Sequence, residues 1–424
     1  MRLYPALLAL SLIVNAIAQD EPLTPRERKL MDRVSDLEKR LDALEKHVGT
    51  STVQPLDLPR STILATGATQ PETAAAPSFA SGATLNLYLD GYYGWNFNHP
   101  AGRVNLLRSN DVLSNNFTLN QVGLILERAP DVAAGRRYGA RVDLMWGQNT
   151  ETLQGAPQNE PRPRVYRNVF QAYGSYVLPV GAGLQTDFGK FYSALGIENN
   201  YAYHEINYSR SFYFNFLPFY HMGFRSTYNF NDKLSFQYWL VNGANQTEDF
   251  NGWKSNVFLF TVKPAKSVSW NLNYYTGQEN RSMDPIAGPK PNGRTHIFDT
   301  YATWNAGQKL LLAGEFDYVV ARPRSTSVPS HVIGGAAYAK YQFTPKFSVA
   351  GRFEYLSDRG GLFSGATQAL KEHTLTATYQ PTDGVQFRLE YRRDYSNRPF
   401  FLQRDQNTAT LGTIWWFGGK RDSW

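Results

Sequence analysis

The chain of 424 residues has no cysteine, which excludes disulfide frameworks, thiolate metal sites and a cysteine nucleophile. Long apolar runs are missing too. After the N-terminus nowhere do 18 apolar residues stand together, so no spanning helix is expected in the mature chain, and a membrane would have to be crossed by strands. Histidine is sparse: its seven copies form no H-x-x-H or H-E-x-x-H pair, and Gly334-Gly335 lacks phosphate-loop spacing, so no catalytic residue, cofactor or metal ion is assigned. The formal charge is +7, but the basic residues are scattered and form no single patch, which argues against a nucleic-acid partner.

What is present begins with a secretory signature. Arg2 precedes the apolar stretch Leu7 to Val14 and the small-residue site Ala16-Ile17-Ala18, so residues 1–18 read as a signal peptide cut after Ala18. The apolar core is too short for the alternative, an N-terminal membrane anchor. Residues 24–48 read as a short α-helical coiled coil, in which Leu30, Val34, Leu37, Leu41, Leu44 and Val48 alternate in steps of four and three. Around that seam Arg33 and Glu38, then Arg40 and Glu45, take g and e positions suited to interchain ion pairs, an arrangement that resembles the short trimerisation motif of parallel coils. Oligomerisation is therefore assigned to Arg33, Val34, Leu37, Glu38, Arg40, Leu41, Leu44 and Glu45. Val at a with Leu at d leans toward dimers instead, and a solvated charged helix on a rim is the plain alternative. Residues 49–83, rich in Thr, Ser, Ala and Pro, read as a flexible tether.

From residue 84 to 424 the pattern turns to period two. Phe347, Val349, Phe353 and Tyr355 alternate with Ser348, Arg352 and Glu354, and Val385, Phe387, Leu389 and Tyr391 with Gln386, Arg388 and Glu390. Strands near residues 84, 115, 137, 166, 184, 219, 233, 254, 268, 294, 309, 332, 346, 370, 385 and 407 give about sixteen segments, each of about nine to fourteen residues, the span of a tilted barrel strand. Short turns such as Asn231-Asp232, Gly307-Gln308, Thr344-Pro345 and Pro381-Thr382-Asp383-Gly384 alternate with polar loops of about ten to twenty-six residues. A soluble sandwich has no reason to alternate so. The expected fold is all-β: a transmembrane antiparallel up-and-down β-barrel of about sixteen strands behind the N-terminal coil. Ala409, Leu411, Thr413, Trp415 and Phe417 would share the lipid face of the closing strand, with Phe417 or Trp424 as its terminal aromatic signal.

Several local sequences resemble the OmpL-like β-barrel porin family. They are Asp90-Gly91-Tyr92-Tyr93-Gly94-Trp95-Asn96-Phe97-Asn98, Asn116-Phe117-Thr118-Leu119-Asn120-Gln121, Gly189-Lys190-Phe191, Gly196-Ile197-Glu198, Asn207-Tyr208-Ser209-Arg210-Ser211, Pro218-Phe219-Tyr220-His221-Met222-Gly223 and Val241-Asn242-Gly243. The resemblance implies a porin-like barrel in the bacterial outer membrane and says nothing of the solute. The coil and tether fall outside it.

If the apolar faces meet lipid, the opposite parity places Arg141, Asp143, Glu315, Asp317, Arg352, Glu354, Arg388, Glu390, Arg392 and Asp394 on the lumen wall, facing water. Interstrand salt bridges that merely brace the wall are the plain alternative for each. The longest external connection, Ser193 to Leu217, would be the third, and Glu198, His204, Glu205 and Arg210 make it a candidate constriction loop, or else an external loop packed on its neighbours. The expected activity is passive diffusion of small hydrophilic solutes or ions, with outer-membrane lipid around a homotrimer and the coil in the periplasm, where it could touch peptidoglycan or another envelope layer. Two other readings stand beside it. One is an envelope tether with the barrel as anchor; the other is an outer-membrane hydrolase built on Ser209 or Ser211 with His204 and His221.

Overall fold

The computed structural model describes residues 82–154, 160–280 and 292–418, with Lys39 alone before them. The chain divides into two units, Met1–Ala75 and Ala76–Trp424, and every described strand belongs to the second. The signal peptide, the coil residues assigned to oligomerisation, the tether up to residue 81 and Trp424 lie outside the described residues.

Sixteen antiparallel strands form the wall: β1 (Thr84–Asn96), β2 (Asn116–Arg128), β3 (Tyr138–Trp146), β4 (Val169–Leu178), β5 (Leu184–Tyr192), β6 (Tyr220–Asn231), β7 (Leu234–Val241), β8 (Ser255–Ala265), β9 (Val268–Gly277), β10 (Thr295–Asn305), β11 (Leu310–Ala321), β12 (Ser330–Thr344), β13 (Phe347–Arg359), β14 (Gln368–Thr382), β15 (Val385–Ser396) and β16 (Asp405–Gly418). Each pairs with its chain neighbours, and β1 closes the ring on β16 with Leu87 opposite Phe417 and Tyr93 opposite Leu411. Closure leaves no strand edge unpaired, which a wall in hydrocarbon requires. Three short α-helices sit in the described connections, α1 (Asn149–Leu153), α2 (Pro163–Tyr166) and α3 (Phe212–Phe216).

The distribution of polarity is inverted relative to a soluble protein. Leu389, Leu411, Phe298 and Phe353 are exposed on the outer face, while Arg388, Glu390, Arg392 and Asp394 between or beside them are buried. An apolar band outside and a polar interior are what lipid selects. Connections of a few residues, such as 232–233, 266–267 and 383–384, alternate with longer ones at the opposite end: L1 (97–115), L2 (147–168), L3 (193–219), L4 (242–254) and L5 (278–294). Two departures from the sequence expectation appear. The last connections at the long-loop end, 322–329, 360–367 and 397–404, are shorter than ten residues, and the connection 129–137 at the short-turn end is longer than a tight turn. The bridge between Asp131 and Arg136 makes 129–137 a small hairpin of its own.

Candidate functional site: a constriction clamped to the barrel wall

The interior at mid-height is organised by L3, which leaves β5, crosses the lumen and returns to β6. Its root touches β10, where the Gly196 amide donates to Asp299 Oδ2 at 2.9 Å. Next Glu198 accepts from Arg352 Nη1 of β13 at 2.7 Å and from its own loop's Ser211 amide at 2.6 Å. That second bond closes residues 199–210 into a ring with its neck at β13.

The ring reaches the far wall. Tyr201 donates its hydroxyl to Asp143 of β3, and Tyr208 donates to Asp90 Oδ1 of β1 at 2.8 Å. Asn207 bonds Thr376 of β14 at 2.7 Å, and its carbonyl accepts from Arg388 Nη1 of β15 at 2.9 Å. Glu390 accepts both the Tyr208 amide (2.7 Å) and the Ser209 amide (3.0 Å). Beyond the neck, Glu354 accepts the amides of Phe212 (2.7 Å) and Tyr213 (3.0 Å), the first residues of α3. A carboxylate there meets amides that no helical carbonyl can satisfy, and Ser211 caps the same end by accepting from the Phe214 amide at 3.0 Å. L3 thus exposes little unpaired backbone because wall carboxylates take its amides.

L1 covers the other side. Arg108 bonds Glu372 at 2.8 Å, pairs with Asp394 and caps the Arg210 carbonyl at 2.6 Å, while its guanidinium lies 4.2 Å from the centre of the Phe212 ring. Asp111 of L1 takes Arg392. Within L3, burial pushes the Glu205 carboxyl up to about 8 against the pull of Arg210. Arg210 in turn spends its donors on the carbonyls of Asn199, Tyr208 and Asn200 at 2.7–3.0 Å. The guanidinium therefore holds the loop's turns together.

These contacts revise one expectation. Arg141, Asp143, Glu315, Asp317, Arg352, Glu354, Arg388, Glu390, Arg392 and Asp394 do lie on the inward parity, but none is more than 7% exposed, so they do not face open water. Most of them brace the wall or hold the loops: Arg141 pairs with Asp143 at 2.8 Å, Arg352 with Glu372 at 2.6 Å and Arg392 with Asp394 at 3.2 Å, whereas Glu315 and Asp317 have no ion-pair partner among the described residues. L3 does fold inward. Of its four candidate residues Glu198, Glu205 and Arg210 hold the loop together, whereas His204 is exposed beside Tyr203, whose ring lies tilted with its centre 4.3 Å from that of Trp416 near the C-terminal end of β16. The Ser/His cluster does not assemble. Ser209 Oγ accepts from Arg352 at 3.1 Å, Ser211 caps α3, and His221 faces the Gly243 carbonyl and Ser193 Oγ.

Sequence reading did not identify Asp90, Arg108, Asp111, Asp299 or Glu372 as parts of the site. A signal existed for some of it, because the motifs Gly196-Ile197-Glu198 and Asn207-Tyr208-Ser209-Arg210-Ser211 mark the root and tip of L3. A glycine of the wall also makes room for the tip. A Cβ on Gly412 would lie 2.5 Å from the Tyr208 ring. Gly412→Ala should therefore cost about 1–3 kcal/mol by overpacking, read from urea unfolding in detergent micelles. Adding Tyr208→Ala to that variant should cost less than Tyr208→Ala alone; equal costs would mean that the ring does not press on β16.

Comparison with known proteins agrees with this geometry. No curated protein matches the sequence significantly. Among solved structures, OmpT of Vibrio cholerae in its in-vitro folded trimer form aligns with a TM-score of 0.52 at 8% identity, covering 79% of this chain and 99% of that one. The outer membrane channel DcaP of Acinetobacter baumannii gives 0.53 at 11%, covering 80% and 98%, and an anion-selective porin from Comamonas acidovorans gives 0.54 at 9%, covering 79% and 99%. At these identities the likeness is one of fold. The family described as "Putative beta-barrel porin-2, OmpL-like" matches residues 82–416, the whole wall but for the end of β16. The chain belongs to this OmpL-like family of outer-membrane β-barrel porins.

Proposed function

We propose that the barrel is a porin through which small hydrophilic solutes or ions diffuse passively across the outer membrane, with L3, backed by L1, as its constriction. The observation that carries this reading is the closed sixteen-strand wall with L3 clamped inside it by Arg352, Glu354 and Glu390. A barrel of this size encloses an aqueous lumen unless loops fill it, and a clamped loop sets the bore. Nothing in such passage calls for a catalytic group or cofactor. The coil heptads, together with the trimer form of the Vibrio cholerae relative in fold, support a homotrimer with the coil on the periplasmic side, within reach of peptidoglycan or another envelope layer.

A second reading, a closed barrel that anchors the coil as an envelope tether, draws on the burial of the charged mid-lumen wall. Single-channel recording of the purified protein in a planar bilayer under a salt gradient separates the two. Stable steps, grouped in threes, are expected, and the reversal potential gives the sign of selectivity. Protein that inserts and stays silent would overturn the open-pore reading in favour of the anchor.

A further inference from the structure

Two rows of acidic side chains line the inside of the wall, and they are compensated differently. On β13, β14 and β15, Glu354 stands opposite Glu372 and Glu372 opposite Asp394. Three guanidinium groups compensate that row, with Arg108 and Arg352 at 2.8 and 2.6 Å from Glu372 and Arg392 at 3.2 Å from Asp394. On β10 and β11, Asp299 stands opposite Asp317, and Glu315 lies two residues along on the same face. All three are buried, and one carboxylate oxygen of each lies within 4.8 Å of the others. Among the described residues, none of the three has an ion-pair partner; the lumen's pairs fall on Arg108, Arg141, Arg210, Arg225, Arg352 and Arg392 instead.

Like charges directly opposite on a sheet repel, and burial without a counter-charge makes the repulsion costly. Neutral donors relieve only part of it. Asn273 Nδ2 at 2.6 Å and the Gly196 amide at 2.9 Å both go to Asp299 Oδ2, and the Tyr338 hydroxyl reaches Glu315 at 3.4 Å. Apart from the neighbouring carboxyls of the cluster, no hydrogen-bond partner reaches either oxygen of Asp317, which is 0% exposed, and the same holds for Asp299 Oδ1; the adjacent Asn273 Oδ1 is likewise unpartnered. The pocket therefore presents unpartnered oxygen acceptors and no positive charge. Hard oxygen donors of this kind, carboxylates with a side-chain amide oxygen beside them, suit Ca²⁺, whose ligands stand at about 2.3–2.6 Å and can span such a cluster. Mg²⁺ holds its waters and suits a dry pocket less.

We infer that Asp299, Glu315 and Asp317, with Asn273 beside them, form a divalent-cation site of the calcium type that clasps the root of L3 to the wall. The loop is built to close on it. Gly196 has a φ of +84°, and a Cβ there would meet Glu315 Oε1 at 3.0 Å, so only glycine lets the backbone approach this closely without strain. The clasp goes beyond the diffusion reading, because an ion can bind here whether or not the pore conducts.

Terbium luminescence tests it on the full chain, folded in detergent without lipopolysaccharide and stripped with EDTA. Tyr338, bonded to Glu315, and Tyr301, opposite Glu315 across the ladder, are placed to sensitise a bound Tb³⁺. Saturable emission with one ion per chain is expected, displaced by Ca²⁺ at lower concentration than by Mg²⁺, and weakened at least tenfold in both Asp317→Asn and Glu315→Gln. Glu248→Gln, an acid outside the cluster, should bind as the unaltered chain does. Folding of each variant is checked by heat-modifiable migration; if one fails to fold, the other and the thermal midpoint of the unaltered chain in Ca²⁺ against EDTA carry the test. Absence of saturable emission, emission unchanged in the variants, or an Asp317→Asn chain that melts higher while the unaltered chain ignores Ca²⁺ would each overturn the inference, the last by showing that the carboxylates share protons.

Discussion

Excising residues 199–210 and joining Glu198 to Ser211 through two glycines should raise single-channel conductance roughly threefold or more, because a sixteen-strand wall without an inner loop leaves a wide aqueous bore. The excision is geometrically mild. The Ser211 amide already sits 2.6 Å from Glu198 Oε2, so the cut ends meet where the chain closes its own ring. What goes is the ring that spans from β13 to β1 and β3, with the contacts of Tyr201 and Tyr208 to the far wall and of Asn207 to β14. The neck remains, held by Arg352 on Glu198 and by Glu354 on the first turn of α3. Glu390, Asp90 and Asp143 lose their loop partners and become accessible to water together with Arg388, so the freed acids outnumber the freed cation and selectivity should shift toward cations as conductance rises. Conductance unchanged by the excision would mean that the ring does not set the bore.

The wall was legible in the sequence because its two signals, alternation and turns, are local. The run from Val385 to Tyr391 alternates without interruption behind Asp383-Gly384, and β15 begins at Val385. The contents of the lumen were not legible, because parity says which way a side chain points and not what covers it. Arg108 comes from a stretch without periodicity and meets residues more than 250 positions away in β14 and β15. Asp299 was hidden for a different reason. In β10 the inward residues include Ile297 and Tyr301 and the outward ones His296 and Thr300, so the faces do not separate by polarity, and only the register with Asp317 brings the acid into view. Bulges at Asp90/Gly91 and Asp143/Leu144 shift pairing further in the strands that receive the tip of L3.

Arg352→Met should cost roughly 3–5 kcal/mol of folded stability, the usual consequence of leaving a buried charge without its partner. The side chain is wholly buried and binds Glu372 Oε1, Glu198 Oε1, the Ser209 carbonyl and Ser209 Oγ. Methionine fills most of the volume, so the loss reports on charge and hydrogen bonding more than on packing. Glu372 keeps Arg108 after the change, whereas Glu198 loses its ion-pair partner and the L3 neck is released at one of its two holds. Urea unfolding in micelles reads the first effect, and a flickering open level in bilayer recordings reads the second. Pairing the change with Glu198→Gln should restore part of the stability, with a coupling of about 0.5–3 kcal/mol between the two sites. A variant within about 1 kcal/mol of the parent and quiet in the bilayer would show that the neck is held by Glu354 alone, because the Glu354 bonds to the Phe212 and Tyr213 amides are the contacts that Arg352→Met leaves intact.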